Sequence, residues 1–292
     1  MSLSITEKLL CTSRLAYTIT GAGPVTLNDD GTAAGFSEPP AGFTAGDDQI
    51  DAGLVGESED GIVIAFRGTL PPSSPNQGQM ILDWADDIDA VFVEDALSLP
   101  GQGQVHKGFL TALNDLWTGM SNVIMPLISD KPTTPIYVTG HSKGGAMAYL
   151  AALRLKNKLP DASIYVSTFA AARAGDQDFA TAYDAALPST ARYEYADDIV
   201  PHLPPSDLFK AMFATVPFMA DKLKELTVGY VSAGELHYID WSGALVPDSP
   251  VLRFERSTHL ANLMVTLGFK TIAADHSIAP GSGYASGVAA PG

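Results

Sequence analysis

Three short runs of apolar residues constrain this chain most: Gly61-Ile62-Val63-Ile64-Ala65-Phe66, Pro135-Ile136-Tyr137-Val138-Thr139 and Ser163-Ile164-Tyr165-Val166-Ser167. A strand with one wet face alternates apolar and polar residues. A strand with scarcely a polar position needs cover on both faces, which is the condition of strands in a parallel sheet. Arg192-Tyr193-Glu194-Tyr195 is a shorter run of strand type. Helical patterns lie between the runs, over 109–124, interrupted before Pro126, over 146–159, turning basic at its end, and over 176–186. Strands alternating with helices predict an α/β fold, a mainly parallel central sheet flanked by helices.

Leu9, Leu10, Leu15 and Ala16 predict an N-terminal helix within 5–20, while 21–60, rich in Gly, Ala, Pro and Asp, predicts irregular covering structure. Residues 227–231 and 236–240, separated by Ser-Ala-Gly-Glu, predict an antiparallel hairpin. With no internal repeat and no linker, the expectation is one domain over 1–292.

Charge narrows the partners. A formal net charge of −16 repels phosphate backbones and gives no counterion release, which excludes nucleic acid, and it disfavours electrostatic docking on anionic membranes. Contact with lipid would have to be apolar. The single cysteine, Cys11, excludes an intramolecular disulfide and a thiolate metal cluster, and reads as a small buried hydrophobe. No apolar run could span a bilayer, and the first residues lack the order of a signal peptide. The chain is expected to be soluble, with its compartment open and signal-independent secretion among the options. Asp83, Asp86, Asp87 and Asp89 lack the order and the glycine of an EF-hand loop, so no metal and no cofactor are expected.

The chemistry centres on Gly140-His141-Ser142-Lys143-Gly144. A G-x-S-x-G sequence placed directly after an apolar strand and before a helix has the setting of a nucleophile elbow. The turn lifts the serine above the sheet edge, and the helix N-terminus favours the negative charge that attack creates. Ser142 is therefore the expected nucleophile, and the Lys143 backbone N–H an expected oxyanion donor.

Four ordered segments resemble the class 3 (fungal-type) lipases: residues 138–146 their elbow, Ile64-Ala65-Phe66-Arg67-Gly68-Thr69 their oxyanion loop, Val105-His106-Lys107-Gly108-Phe109-Leu110 the segment before the next helix, and Asp198-Ile199-Val200-Pro201-His202-Leu203-Pro204-Pro205 their acidic-triad motif. The resemblance implies an α/β-hydrolase fold with a Ser-Asp-His triad. It implies Thr69 as the second oxyanion donor, with Arg67 anchoring the loop, and Asp198 as the acid in preference to Asp197. Lys143 departs from the apolar residue that many members carry after the nucleophile.

Chain order places the base after the acid, which removes His106 and His141. His202 lies too close to Asp198, and His237 sits in an apparent strand. His276, outside a periodic segment and in a context resembling the family's C-terminal histidine, is preferred. His259, at the start of an apparent helix, stays open. A lid is expected over 70–83 or 208–219. The implied activity is carboxylic ester hydrolysis through an acyl-enzyme, as a triacylglycerol lipase acting on acylglycerols with transient contact at a lipid–water interface. The alternatives are an esterase for short-chain or feruloyl-type esters and a noncatalytic lipid-binding relative.

Overall fold

A computed structural model describes residues 2–70, 91–95, 100–101, 103–213, 229–266 and 268–289 of the chain. Helix α1 (Ile5–Ala16) opens with a reciprocal cap: the Glu7 N–H donates to the Ser4 hydroxyl, and the Ser4 N–H donates to the Glu7 carboxylate. Two donors that the first turn cannot pair internally are thereby satisfied. Residues 21–60 depart from the irregular cover expected of them. They hold a short helix α2 (Asp29–Ala33) and three antiparallel strands, β1 (Gly23–Pro24), β2 (Ala41–Ala45) and β3 (Asp51–Glu57). Their Gly- and Ala-rich composition hides them from any propensity argument, because what makes them strands is pairing with a neighbour already in place.

The apolar runs supply β4 (Ile62–Phe66), β7 (Ile136–His141) and β8 (Ile164–Phe169). Between the first two lies a two-stranded ribbon of β5 (Phe92–Val93) and β6 (Val105–His106). The intervening helices are α3 (Lys107–Asp130), α4 (Lys143–Lys158) and α5 (Gln177–Ala186). The chain continues through β9 (Ala191–Tyr195), α6 (Asp207–Phe213), β10 (Glu235–Ile239), β11 (Leu245–Val246), α7 (Pro250–Val265), α8 (Phe269–Asp275) and α9 (Gly283–Ala289). Among the described residues the main sheet runs β1-β2-β3-β4-β7-β8-β9-β10-β11, with β4-β7-β8-β9-β10 parallel at its centre and antiparallel strands at both edges.

Period-two alternation divides the central strands between two cores. Ile62, Ile64 and Phe66 of β4 and Ile136 and Val138 of β7 face the α3–α4 side, while Val63 and Ala65 face the side covered by α1 and α9. Each such fully buried Ile, Val or Phe is worth about 1.5–3 kcal/mol relative to exposure. Helix α3 continues past Pro126, contrary to the expected break. Its buried stripe Met120, Ile124 and Ile128 spans the proline, so packing on the sheet outweighs a cost of about 3 kcal/mol for the missing backbone bond.

Among the described residues the expected 227–231/236–240 hairpin is not formed; 227 and 228 lie outside them. Both edges of β10 are occupied, by β9 in parallel and β11 antiparallel, and Val231 bridges Gly175 instead. Residues 71–83 of the first lid candidate and 214–219 of the second lie outside the described residues, as does the aspartate cluster 83–89. Among the described residues no helix is long and apolar enough to cross a membrane.

Candidate active site

Ser142 occupies the one-residue joint between β7 and α4, at φ 59° and ψ −130°. For a residue with a Cβ this is a strained conformation, of a kind that costs on the order of 1–3 kcal/mol and persists only when the surroundings impose it. They do so through the backbone: the Ser142 N–H donates to the Phe169 carbonyl at 3.1 Å, and its own carbonyl accepts from Gly145 at 3.0 Å and from Ala172 at 3.4 Å. The flanking glycines are needed for space. A Cβ on Gly140 would sit 2.3 Å from the Gly144 carbonyl oxygen, and one on Gly144 would sit 2.2 Å from the Phe66 carbonyl oxygen. Lys143 is the first residue of α4, so its N–H has no partner within the helix.

The 67–69 loop lies against this joint. A Cβ on Gly68 would come within 2.9 Å of the Ser142 Cβ. Arg67 has the anchoring place expected of it: its buried guanidinium donates to the carbonyls of Ile19 (2.6 Å), Gln49 (2.6 Å) and Ile50 (3.0 Å). Thr69, His141 and His276, with Tyr17, Ile278 and Pro280, line a cavity of about 440 Å³.

His276 follows directly on α8, at its C-terminal cap, rather than in an open loop. Its Nδ1 lies 3.0 Å from both carboxylate oxygens of Asp198. A carboxylate only accepts, so Nδ1 carries a proton, and in the neutral imidazole the lone pair then lies on Nε2. Asp198 is itself fixed, accepting from the Val200 N–H at 2.9 Å and from the Tyr284 hydroxyl at 2.8 Å.

His141, the last residue of β7, is bonded to His276. Its Nε2 donates to the His276 carbonyl at 2.8 Å, and the Tyr17 hydroxyl donates to its Nδ1 at 2.7 Å. Burial, reinforced by the neighbouring His276, holds its pKa well below the ordinary imidazole value, so it adds no positive charge beside Ser142.

The two histidines left open by the sequence each have their own aspartate. His259 lies within α7, with Nδ1 2.8 Å from both oxygens of Asp197, which also accepts from the Trp241 indole N–H at 2.7 Å. The His259 side chain is 48% exposed and its ring packs edge-on against Trp241, whereas His276 is buried and tied to β7 through His141. Of the two pairs, Asp198–His276 is the one linked to the residue preceding Ser142, through the bond from His141 to the His276 carbonyl. Three partners of this centre were not singled out from the sequence: Tyr17, Tyr284 and Asp51, whose Oδ1 accepts from the Lys143 ammonium at 2.5 Å. Each sits far from its partner along the chain and in no recognisable motif.

Asp275 adds a titration next to the site. Burial, followed by the charges of Asp197 and Asp198, pushes its carboxyl up to about 7, opposed by the hydrogen bond from the Asp197 N–H. Because the folded state then holds a proton that the unfolded chain has released, stability falls as pH rises from about 4 to 7 and levels off above. Asp275→Asn is expected to melt close to wild type at pH 4 and measurably higher at pH 8. Equal differences at the two pH values, by scanning calorimetry, would refute the assignment.

A second cavity, of about 400 Å³, is lined by Arg173, Arg192, Arg253 and Arg256. These cations already have partners: Arg192 and Arg256 on Glu194, Arg253 on Asp248, and Arg173 on the carbonyls of His202 and Pro204. The cations lining that cavity are thus held in a network of ion pairs and carbonyl bonds.

Comparison with known proteins agrees with the geometry. The family described as lipase (class 3) matches residues 63–208. A lipase of Rhizomucor miehei is 30% identical over 219 residues, covering 74% of this chain and 55% of that protein. The secreted mono- and diacylglycerol lipase 3 of Gibberella zeae is 31% identical over 157 residues, covering 51% and 47%. The chain thus spans about half the length of the curated relatives it matches. In fold it resembles the Rhizomucor miehei lipase–propeptide complex, with a TM-score of 0.58 at 22% identity over 80% of this chain and 67% of that one. The lipase of Rhizopus microsporus var. chinensis gives a TM-score of 0.59 at 20% identity over 80% and 73%. With a parallel-centred sheet, a serine elbow between strand and helix, and a family match over half its length, the chain belongs to the class 3 lipase family of the α/β-hydrolase superfamily.

Proposed function

We propose that the chain is a carboxylic ester hydrolase acting on acylglycerols, with Ser142 as nucleophile, His276 as general base and acid, and Asp198 as the orienting carboxylate. The observation that carries this reading is the buried Asp198–His276 pair, whose tautomer puts the lone pair on Nε2 and whose loop is bonded to the residue preceding Ser142.

The Ser142 hydroxyl attacks the ester carbonyl while its proton passes to Nε2 of His276. The imidazolium so formed is stabilised by Asp198. The tetrahedral oxyanion is met by the backbone N–H groups of Thr69 and Lys143, with the Thr69 hydroxyl as a third donor. His276 returns its proton to the departing alcohol oxygen. Water, deprotonated by the same nitrogen, then attacks the acyl-serine; the carboxylic acid leaves and Ser142 regains its proton.

Lipid contact would be apolar, in keeping with the net charge of −16. Helix α7 offers such a surface in Phe254 (69% exposed) and Val251 (65%), next to α8 and the His276 segment. The test is hydrolysis of p-nitrophenyl esters of increasing chain length alongside emulsions of tributyrin and triolein. The expected result is turnover of both triglycerides. Activity confined to soluble short esters would replace the lipase reading by an esterase one, and no turnover of any ester would end both.

A further inference from the structure

An oxyanion hole built from two strands' ends works only if its donors keep their spacing, since stabilisation is lost when they stray by a fraction of an ångström. Here the proposed donors, the N–H groups of Thr69 and Lys143, come from segments distant in the chain. Both are tied to the same short stretch at the start of β3. Two residues before Thr69, Arg67 grips the carbonyls of Gln49 and Ile50 with its guanidinium, and its N–H donates to the Ala52 carbonyl at 2.9 Å. From the other side, the Lys143 ammonium reaches across to Asp51 at 2.5 Å. The Lys143 and Asp51 side chains are only 19% and 8% exposed, so solvent screens their attraction little. Asp51 is also rigidly carried, because β3 is hydrogen-bonded along β4, the strand that delivers Thr69.

Resting on the hydrolase reading above, we infer that Asp51 is a positioning residue. Its ion pair with the Lys143 side chain fixes the Lys143 N–H relative to the Thr69 N–H and so sets the oxyanion geometry. The Lys143 side chain is half of a clamp whose other half is Asp51. Such a clamp acts on the transition state and hardly on ground-state binding.

The test compares Asp51→Asn, Lys143→Met and the double variant on p-nitrophenyl butyrate, with melting temperatures and with inhibition by a boronic acid, whose serine adduct places a negative oxygen in the hole. Each single variant is expected to lose about tenfold in kcat, or about 1.4 kcal/mol, with KM nearly unchanged. Boronate affinity should weaken by the same factor, and the double variant should be no worse than either single one, because both remove one interaction. Two results would overturn the inference. One is a double variant restored to wild-type kcat, which would mean that the singles suffer only from an unpaired charge. The other is a fall in melting temperature with kcat and boronate affinity unchanged, which would make the pair purely structural. Failure of the hydrolase reading looks different: the wild type itself would neither turn over esters nor bind the boronate.

Discussion

Alanine in place of Ser142 is expected to lower kcat for ester hydrolysis by about 10⁵- to 10⁶-fold, as removal of a triad nucleophile does when only oxyanion donors and substrate binding remain. The melting temperature should stay close to that of the wild type. The strained joint is held by the Ser142 N–H on Phe169 and by the Ser142 carbonyl, which accepts from Gly145 and Ala172; none of these bonds uses the hydroxyl. Alanine carries the same Cβ and meets the same backbone strain, so the fold loses little and the chemistry loses its attacking atom. Initial rates on p-nitrophenyl butyrate, with calorimetry on the same samples, would separate the two effects. A variant retaining a tenth or more of the activity would mean that another group attacks.

The second large effect divides the two Asp–His pairs. Asp198→Asn is expected to cost about 10⁴ in kcat, because an amide can donate to Nδ1 and so favours the wrong imidazole tautomer. His276→Gln should cost at least as much. His259→Gln should leave kcat close to wild type, although His259 is held by Asp197 as closely as His276 is by Asp198. Of the two pairs it is the second that is tied to β7, the strand leading into Ser142, through His141 and the His276 carbonyl. Loss of activity in His259→Gln with folding intact would invert the assignment. Because the two aspartates are consecutive, this comparison tests the site at the resolution of one residue.

Much of this arrangement was legible in the sequence, for reasons that differ along the chain. Strands β4, β7 and β8 announce themselves because burial on both faces removes almost every polar residue, and the elbow because its glycines have no sterically possible substitute. The edge strands β1–β3 give no such signal: Ala41–Ala45 and Asp51–Glu57 become strands only because β4 offers an edge. Local pattern marks 192–195 and 236–240 as strands but not their parallel pairing as β9 and β10, nor β11 on the other edge, because pairing is set by tertiary contact. Helix α3 outran its proline because its apolar stripe continues on the far side.

At the proposed site, Ser142, Asp198, Thr69 and Lys143 are the residues that ordered motifs in the sequence single out. His276 could be preferred over His259 but not separated from it, because pairing with Asp197 or Asp198 is a matter of tertiary direction. The supporting residues, Tyr17, Asp51 and Tyr284, lie where only the folded chain brings them, and no spacing rule reaches across such separations.

The central claim, that the Ser142 hydroxyl is activated as a nucleophile, can be read chemically without choosing a substrate. A fluorophosphonate should form one covalent adduct per folded molecule, mapped by mass spectrometry to the peptide containing Ser142, at a rate that collapses in His276→Gln. No adduct on the folded wild-type protein, or an adduct on a different residue, would contradict the account.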